Sequence, residues 1–236
     1  MQLPFFFEEN LPDEENFTLS EETSKHVVQV LRINLNENIL ITNGQGQVLT
    51  VRLTKADKKN AEVQIVSKSV STKVIPRISI GISLIKNNNR LEWFLEKATE
   101  VGVSEIIPII CERTEKQHFR HDRMKNILVS AMLQSQQAWL PKLHETVKFK
   151  VLIEDQSYEN KYIAHCIDDK KNLLSTEITS SGNQIMLIGP EGDFTKEEVA
   201  TALKNNYIPV SLGETRLRTE TAGIVAAVLL LNKSIR

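Results

Sequence analysis

Met186-Leu-Ile-Gly-Pro-Glu-Gly-Asp193 and, shortly after it, Ser211-Leu-Gly-Glu-Thr-Arg-Leu-Arg-Thr-Glu-Thr-Ala222 decide how this chain reads. Each loop follows a short apolar run of the kind that forms a buried strand, and the second leads straight into an apolar helix. In an open parallel sheet, ligands bind beyond the carboxyl ends of the strands. Gly189, Gly192 and Gly213 let the backbone approach a ligand with no Cβ in the way, and Pro190 stiffens the first turn. Leu187, Ile188, Leu212 and Leu217 are candidates to wall a flat, partly apolar group such as adenine. Gly-Pro-Glu-Gly taken alone is also an ordinary turn sequence. Arg218 stands between the second loop and the apolar helix, where burying it unpaired would be costly. Glu191, Glu220 or a bound substrate are its candidate partners, and a plain structural ion pair is the alternative.

Outward from these loops, strands and helices alternate. Arg77–Ile85, Glu105–Ile110, Tyr162–Cys166, Gln184–Ile188 and Ile208–Leu212 read as strands. Arg90–Val101 reads as an amphipathic helix with Leu91, Phe94, Leu95, Ala98 and Val101 on one face and Gly102 as its stop. Asp122–Ala138 reads as a further helix, and Thr195-Lys-Glu-Glu198 as a capping box opening another. This alternation predicts an α/β domain with a mostly parallel sheet. The first seventy residues are instead β-rich. Asn43-Gly44-Gln-Gly46 between Ile39–Thr42 and Val48–Leu53 signals a hairpin, and Ser20 caps a short helix reaching to Val30. Ser67–Lys73 is polar and without periodicity, and is assigned as a linker.

The composition excludes several classes. Hydrophobic residues make up 41% and charged residues 25%, with a net charge of -1, which argues against holding naked nucleic acid by bulk electrostatics. The only cysteines, Cys111 and Cys166, read as reduced thiols. Met1-Gln-Leu-Pro-Phe-Phe-Phe is followed by acidic residues, unlike a signal peptide, and the apolar run Ala222–Leu231 is about half a membrane span. A soluble cytoplasmic protein without membrane partners is the expectation. Cys111, His118 and His121 lack the fourth ligand and paired spacing of a structural zinc site, so no metal is expected. Arg113, Lys116, Arg120, Arg123 and Lys125 form a basic loop, either solvated surface or a contact for a phosphate backbone.

Three segments, taken in order, resemble the RsmE family of ribosomal RNA uridine-N3 methyltransferases, within the SPOUT superfamily. Glu96-Lys-Ala-Thr-Glu-Val-Gly-Val103 is similar to the family's helix after the first strand. Leu187-Ile-Gly-Pro-Glu-Gly192 and Leu212-Gly213 with Leu217-Arg-Thr-Glu-Thr-Ala222 are similar to its two cofactor loops, and Glu112-Arg-Thr and Gln134-Ser echo further segments. The resemblance implies a PUA-like β-barrel for RNA over residues 1–70. Over residues 71–236 it implies a SPOUT α/β domain with a trefoil knot, paired into a homodimer with the apolar face of the C-terminal helix in the interface. It implies S-adenosyl-L-methionine held by Leu187, Ile188, Gly189, Pro190, Glu191, Gly192, Leu212, Gly213, Leu217, Arg218, Thr219, Thr221 and Ala222. Lys97, Arg113, Arg120, Arg123, Gln134 and His165 are the implied RNA contacts. The implied reaction is methylation of one uridine in small-subunit (16S) ribosomal RNA.

At N3 the imide proton must leave before or as the nitrogen attacks the methyl group. Arg218 is the candidate to stabilise the developing anion, and Glu191, Glu220 or solvent the candidate to accept the proton. Two departures stand out. Asp193 occupies a position where the family usually has glycine, and Gln136-Gln137 stand where it commonly has Gly-Arg. Another SPOUT enzyme acting on a different RNA base, or a non-catalytic RNA-binding assembly protein, are the alternative readings.

Overall fold

A computed structural model describes residues 3–73, 76–115 and 117–234. Two compact units result, one of residues 3–73 with 132–140, the other of residues 76–131 with 141–234.

In the first unit, β1 (Phe5–Phe7), β2 (Asn16–Thr18), α1 (Glu21–Lys25), β3 (Asn38–Thr42), β4 (Gln47–Lys55) and β5 (Glu62–Val70) follow in order. The strands form one sheet in the order β1-β3-β4-β5-β2. Strand β1 runs parallel to β3, and the other pairs are antiparallel. Alternation along β4 turns Leu49, Val51 and Leu53 inward to meet Phe6, Ile39, Ile41 and Val63. Ser20 caps α1 by accepting from the Thr23 amide, and the helix continues as a π turn over His26–Val30. No ladder joins β1 to β2 among the described residues, so the sheet is not closed by strand pairing.

The expected hairpin is present. Asn43 Oδ1 accepts from the Gln45 amide at 2.9 Å, and Gly46 sits at φ 89°. A second constraint fixes Gly46: a Cβ there would lie 2.3 Å from Trp139 Cζ2. Gly46→Ala is therefore expected to cost about 2 kcal/mol or more, from backbone strain and the displaced indole together. Urea unfolding checks this; an unchanged midpoint would mean that Trp139 yields freely. The assignment of Ser67–Lys73 as a linker is corrected. Ser67–Val70 completes β5 against Gln47–Thr50, but these side chains are exposed on both faces, so no alternation marks them.

The second unit carries β6 (Ile78–Ser83), α2 (Asn88–Val101), β7 (Glu105–Ile110), α3 (His121–Gln134), β8 (Lys142–Leu143) and β9 (Val147–Lys148). It continues with α4 (Phe149–Leu152), β10 (Asn160–Ala164), β11 (Asn172–Leu173), α5 (Leu174–Glu177), β12 (Gln184–Ile188), α6 (Lys196–Lys204), β13 (Ile208–Ser211) and α7 (Thr219–Ser234). The sheet order is β11-β13-β10-β12-β6-β7-β8, with β9 also on β7. Every ladder in it is parallel. Strands β6 and β12 are buried along their whole length, as helix-covered parallel strands require. Helix α2 buries Leu91, Phe94, Leu95 and Ala98, but Val101 is exposed, and Gly102 stops the helix in the left-handed region. Both halves of the Thr195–Glu198 capping box form.

Helix α3 ends at Gln134 rather than at the expected Ala138, because Gln136 adopts φ 56°. The segment 132–140, which a boundary near residue 70 assigns to the second part, packs with the first unit. Among the described residues no helix is long and apolar enough to cross a membrane.

Candidate active site

Strand β10 lies between β12 and β13, so the parallel sheet brings three carboxyl ends side by side: Ala164, Ile188 and Ser211. A cavity of about 800 Å³ opens there, within the usual size of a small-molecule site. Its walls come from the loop after β10, the loop after β12, and the β13–α7 loop. Apolar walls (Ile188, Leu212, Leu217, Ala222) alternate with polar groups (His165, Glu191, Arg218).

The loops are tied together by their own side chains. Thr219 Oγ1 donates to the Gly189 carbonyl at 3.1 Å, joining the start of α7 to the first loop. Ser211 Oγ accepts from the Gly213 amide at 3.3 Å and donates to its carbonyl at 3.0 Å. A Cβ at Gly213 would meet nothing within 4 Å, so this glycine leaves open space. Gly189 is small for a different reason: a Cβ would lie 3.0 Å from the Phe194 ring, so packing within the fold requires it.

Asp193 resolves the first departure from the family pattern. Its φ of 64° is the left-handed conformation that explains a glycine there. The carboxylate compensates by accepting from the Cys166 amide at 2.8 Å and the Phe194 amide at 2.9 Å, pinning the β10 loop to the β12 loop. Gln136 likewise takes positive φ where the family has glycine.

The electrostatics centre on a residue that the sequence did not single out. Arg90, on α2, lines the cavity. Its Nε donates to Glu220 Oε1 at 2.7 Å, and its Nη1 lies 3.8 Å from Glu191 Oε1. Glu191 Oε1 also accepts from the Lys86 amide at 3.3 Å. Neither carboxylate therefore pairs with Arg218, which leaves a bound substrate among its candidate partners. Arg218 is exposed on the cavity, and its side chain makes no hydrogen bond or ion pair among the described residues. Glu220, the other candidate proton acceptor, is outside the cavity lining: its Oε1 accepts from Arg90, and its Oε2 is buried with no hydrogen-bond partner among the described residues.

The other expected site residues divide. Ile188, Gly189, Pro190, Glu191, Leu212, Gly213, Leu217, Arg218, Thr219, Ala222 and His165 line the cavity. Leu187 does not: it is fully buried in the core against the face of Gly81. Gly192 is exposed, and its carbonyl accepts from Arg113 Nη1 at 2.8 Å. Thr221 is half-buried on α7 outside the cavity lining. Lys97 is held by Glu96 at 2.7 Å and Glu100 at 2.8 Å. Arg123 is held by Glu92, and Arg120 Nε lies 3.5 Å from His118 Nε2. Gln134 ends α3, exposed, in the segment that belongs to the first unit. Lys116 lies outside the described residues.

His165 is buried, and neither ring nitrogen has a hydrogen-bond partner among the described residues. Burial, reinforced by the Lys171 cation, holds its pKa below the usual histidine range, so the ring is neutral near pH 7. A buried polar ring without a partner calls for one from a ligand or water. With the open face at Gly213 and the apolar walls, it fits a ligand that is flat and apolar in one part and polar in another. Among the described residues no cluster of His, Cys, Asp or Glu is placed to hold a metal ion.

The RNA methyltransferase domain family model matches residues 73–231, and the RNA methyltransferase PUA domain model matches residues 19–66. The chain is 27% identical to the ribosomal RNA small subunit methyltransferase E of Buchnera aphidicola, over 95% of this chain and 91% of that protein. It is 26% identical to the protein of that name from Bacillus subtilis, over 89% and 87%. Among solved structures, a "probable rRNA-methyltransferase" from Porphyromonas gingivalis is 32% identical with a TM-score of 0.91, covering 99% of both chains. Ribosomal RNA small subunit methyltransferase E from Neisseria gonorrhoeae, crystallised with S-adenosyl methionine, is 30% identical with a TM-score of 0.88 over 98% of both. This chain, an α/β methyltransferase fold with a PUA-like domain, belongs to the RNA methyltransferase domain family.

Proposed function

We propose that the protein transfers a methyl group from S-adenosyl-L-methionine to N3 of one uridine in small-subunit (16S) ribosomal RNA. The observation that carries the reading is the cavity at the carboxyl ends of β10, β12 and β13, built from the two glycine-bearing loops. The Neisseria gonorrhoeae relative, similar over nearly the whole chain, is a structure with that cofactor bound.

Ile188, Leu212, Leu217 and Ala222 would hold the cofactor's flat apolar part, with Gly213 leaving room and the neutral His165 ring meeting a polar group. When bound, the cofactor supplies an electrophilic methyl group. Arg218 provides positive charge for a uracil oxygen as the imide proton departs. Glu191, exposed on the cavity, accepts that proton. The walls align nitrogen and methyl carbon, which accounts for much of the rate gain in a single transfer.

In the same reading, residues 1–70 form the RNA-binding PUA-like part and residues 71–236 the catalytic part, with a SPOUT trefoil knot. Support for the knot comes from the strand order, in which the chain leaves β12 and returns as β13 on the far side of β10. The half-exposed apolar residues Ile224, Val225 and Leu229 and the exposed Val228 of α7 favour a homodimer. Arg113, Arg120, Arg123, Lys97 and Gln134 are RNA contacts in this reading, and the protein acts in the cytoplasm.

Calorimetry with S-adenosyl-L-methionine tests the cofactor. Gly189 is unsuitable for a blocking substitution because of Phe194, whereas Ala222→Phe fills the cavity from the helix side. It is expected to weaken binding at least about tenfold while the protein stays folded. No heat with the wild type would reject the cofactor. Primer extension across ribosomal RNA tests the product, because N3 methylation blocks pairing. A stop at one uridine that vanishes on deletion of the gene is expected, and a stop that persists would reject the assignment.

A further inference from the structure

Uracil N3 lies between two carbonyl groups, and loss of its proton spreads negative charge over both oxygens. One arginine can serve one oxygen well. The cavity has a second: Arg90 lines it together with Arg218. The two are held differently. Arg218 is exposed and its side chain has no hydrogen bond or ion pair among the described residues, whereas Arg90 is 28% exposed and fixed through Nε by Glu220 at 2.7 Å. Its terminal N–H groups make no hydrogen bond among the described residues, and Nη1 lies 3.8 Å from Glu191 Oε1.

We propose that Arg90 is the second cation of an imide clamp, donating to one of the carbonyl oxygens flanking N3, with Glu220 as its positioning residue. The inference rests on the uridine-N3 reading and deepens it. A charge already oriented before reaction stabilises a developing anion without reorganisation, and Glu220, buried in the first turn of α7, supplies that orientation. The clamp also selects the base. Cytosine carries an amino group beside N3, which turns N–H bonds toward the guanidinium, so donor would meet donor.

The step balances. The N3–H bonding pair becomes the N3–methyl bond, the proton goes to Glu191, and the methyl–sulfur pair leaves with sulfur. Arg90 keeps its proton throughout and acts by lowering the cost of the imide anion.

Glu220 on α7 and Glu191 on the β12 loop face Arg90 directly, and Asp193 stands further along that loop. Cys166, His165, Asp168, Asp169 and Lys171 face the cavity from the β10 loop. Glu214, Arg216 and Arg218 do so from the β13–α7 loop. Because Arg90 does not titrate near neutrality, its effect falls on the pH at which the imide proton is lost.

Methyl transfer to unmodified small ribosomal subunits is measured from neutral to alkaline pH for wild type, Arg90→Gln and Glu220→Gln, with cofactor binding followed by calorimetry. Arg90→Gln is expected to move the rising limb about one pH unit to the alkaline side, and so to lower kcat about tenfold at neutral pH, with KM for the subunits and cofactor heat little changed. Glu220→Gln keeps the acceptor for Nε but removes a negative charge, so its limb moves toward acid while turnover persists. A uniform fall at every pH in Arg90→Gln, or an unmoved limb, would overturn the proposal. If Arg90→Gln fails to fold, the Glu220→Gln limb decides alone. Loss of turnover at all pH in folded Glu220→Gln would make Glu220 the base and overturn it as well. A wild type that transfers no methyl group removes the uridine reading itself. An active wild type with unmoved limbs removes only the clamp.

Discussion

Arg218→Ala leaves the protein as stable as the wild type and lowers methyl transfer roughly a hundred- to a thousandfold. That is the expected result, and both halves follow from the same geometry. The Arg218 side chain makes no hydrogen bond or ion pair among the described residues, and its backbone carbonyl still accepts from the Ala222 amide at 2.8 Å whatever the side chain. Nothing internal is lost, so thermal unfolding is expected within about 0.5 kcal/mol of wild type. S-adenosyl-L-methionine binding is expected to change only a few-fold, because the apolar walls and Gly213 are untouched. The lost contribution is a positive charge on the cavity at the point where a uracil oxygen gains charge. Single-turnover measurement with unmodified subunits checks it, and an unchanged rate would take Arg218 out of the mechanism. A large fall in melting temperature would instead mean that Arg218 supports the fold.

Arg218 was visible in the sequence because it sits beside a glycine loop, next in line to an apolar helix. Arg90 was not. Its meaning depends on Glu220, which is 130 positions away, and no local pattern links a charge on α2 to the first turn of α7. The same limit applies to Glu191 and Glu220: sequence neighbourhood offered them as candidate partners for Arg218, whereas packing of α7 beside α2 brings them to Arg90. The strands of the second unit, though not all of their ends, the capping box and the hairpin were readable because each is a local event with its own residue chemistry. The end of β5 and the stop of α3 were not. Ser67–Val70 is exposed on both faces, and a glutamine at position 136 gives no outward sign of positive φ. Asp193 is a parallel case: at 136 and at 193 the family pattern has glycine, and both residues adopt positive φ although neither is glycine.

Glu105 was hidden for a related reason, at the head of the apolar run that becomes β7, and the largest stability effect is expected there. At the amino ends of the parallel strands, opposite the cavity, Glu105 is 7% exposed. Its Oε1 accepts from Arg77 Nη1 at 3.3 Å. Oε2 accepts from Ser79 Oγ at 3.2 Å and Tyr158 Oη at 3.1 Å, with His144 Nε2 3.5 Å away. Burial works to raise its pKa; His144, Arg77 and Tyr158 outweigh burial and hold it at about 2, below the ordinary 4.5. A depressed carboxyl stabilises the fold fully above its unfolded value and progressively less as pH falls through its folded value. The contribution is therefore present above pH 4.5 and disappears as pH falls toward 2, and its size is about 3 kcal/mol. Glu105→Ala, which strands Arg77 and the Tyr158 hydroxyl, is expected to cost a similar about 3 kcal/mol near neutral pH. Glu105→Gln keeps hydrogen-bonding capacity toward Ser79 and Tyr158 but cannot ionise. The difference in urea unfolding free energy between wild type and Glu105→Gln is thus expected to shrink steadily with acidification. Other carboxylates titrate equally in both proteins and cancel in that difference. A gap that stays constant across the acidic range would show that Glu105 stabilises the sheet by shape alone, without its charge.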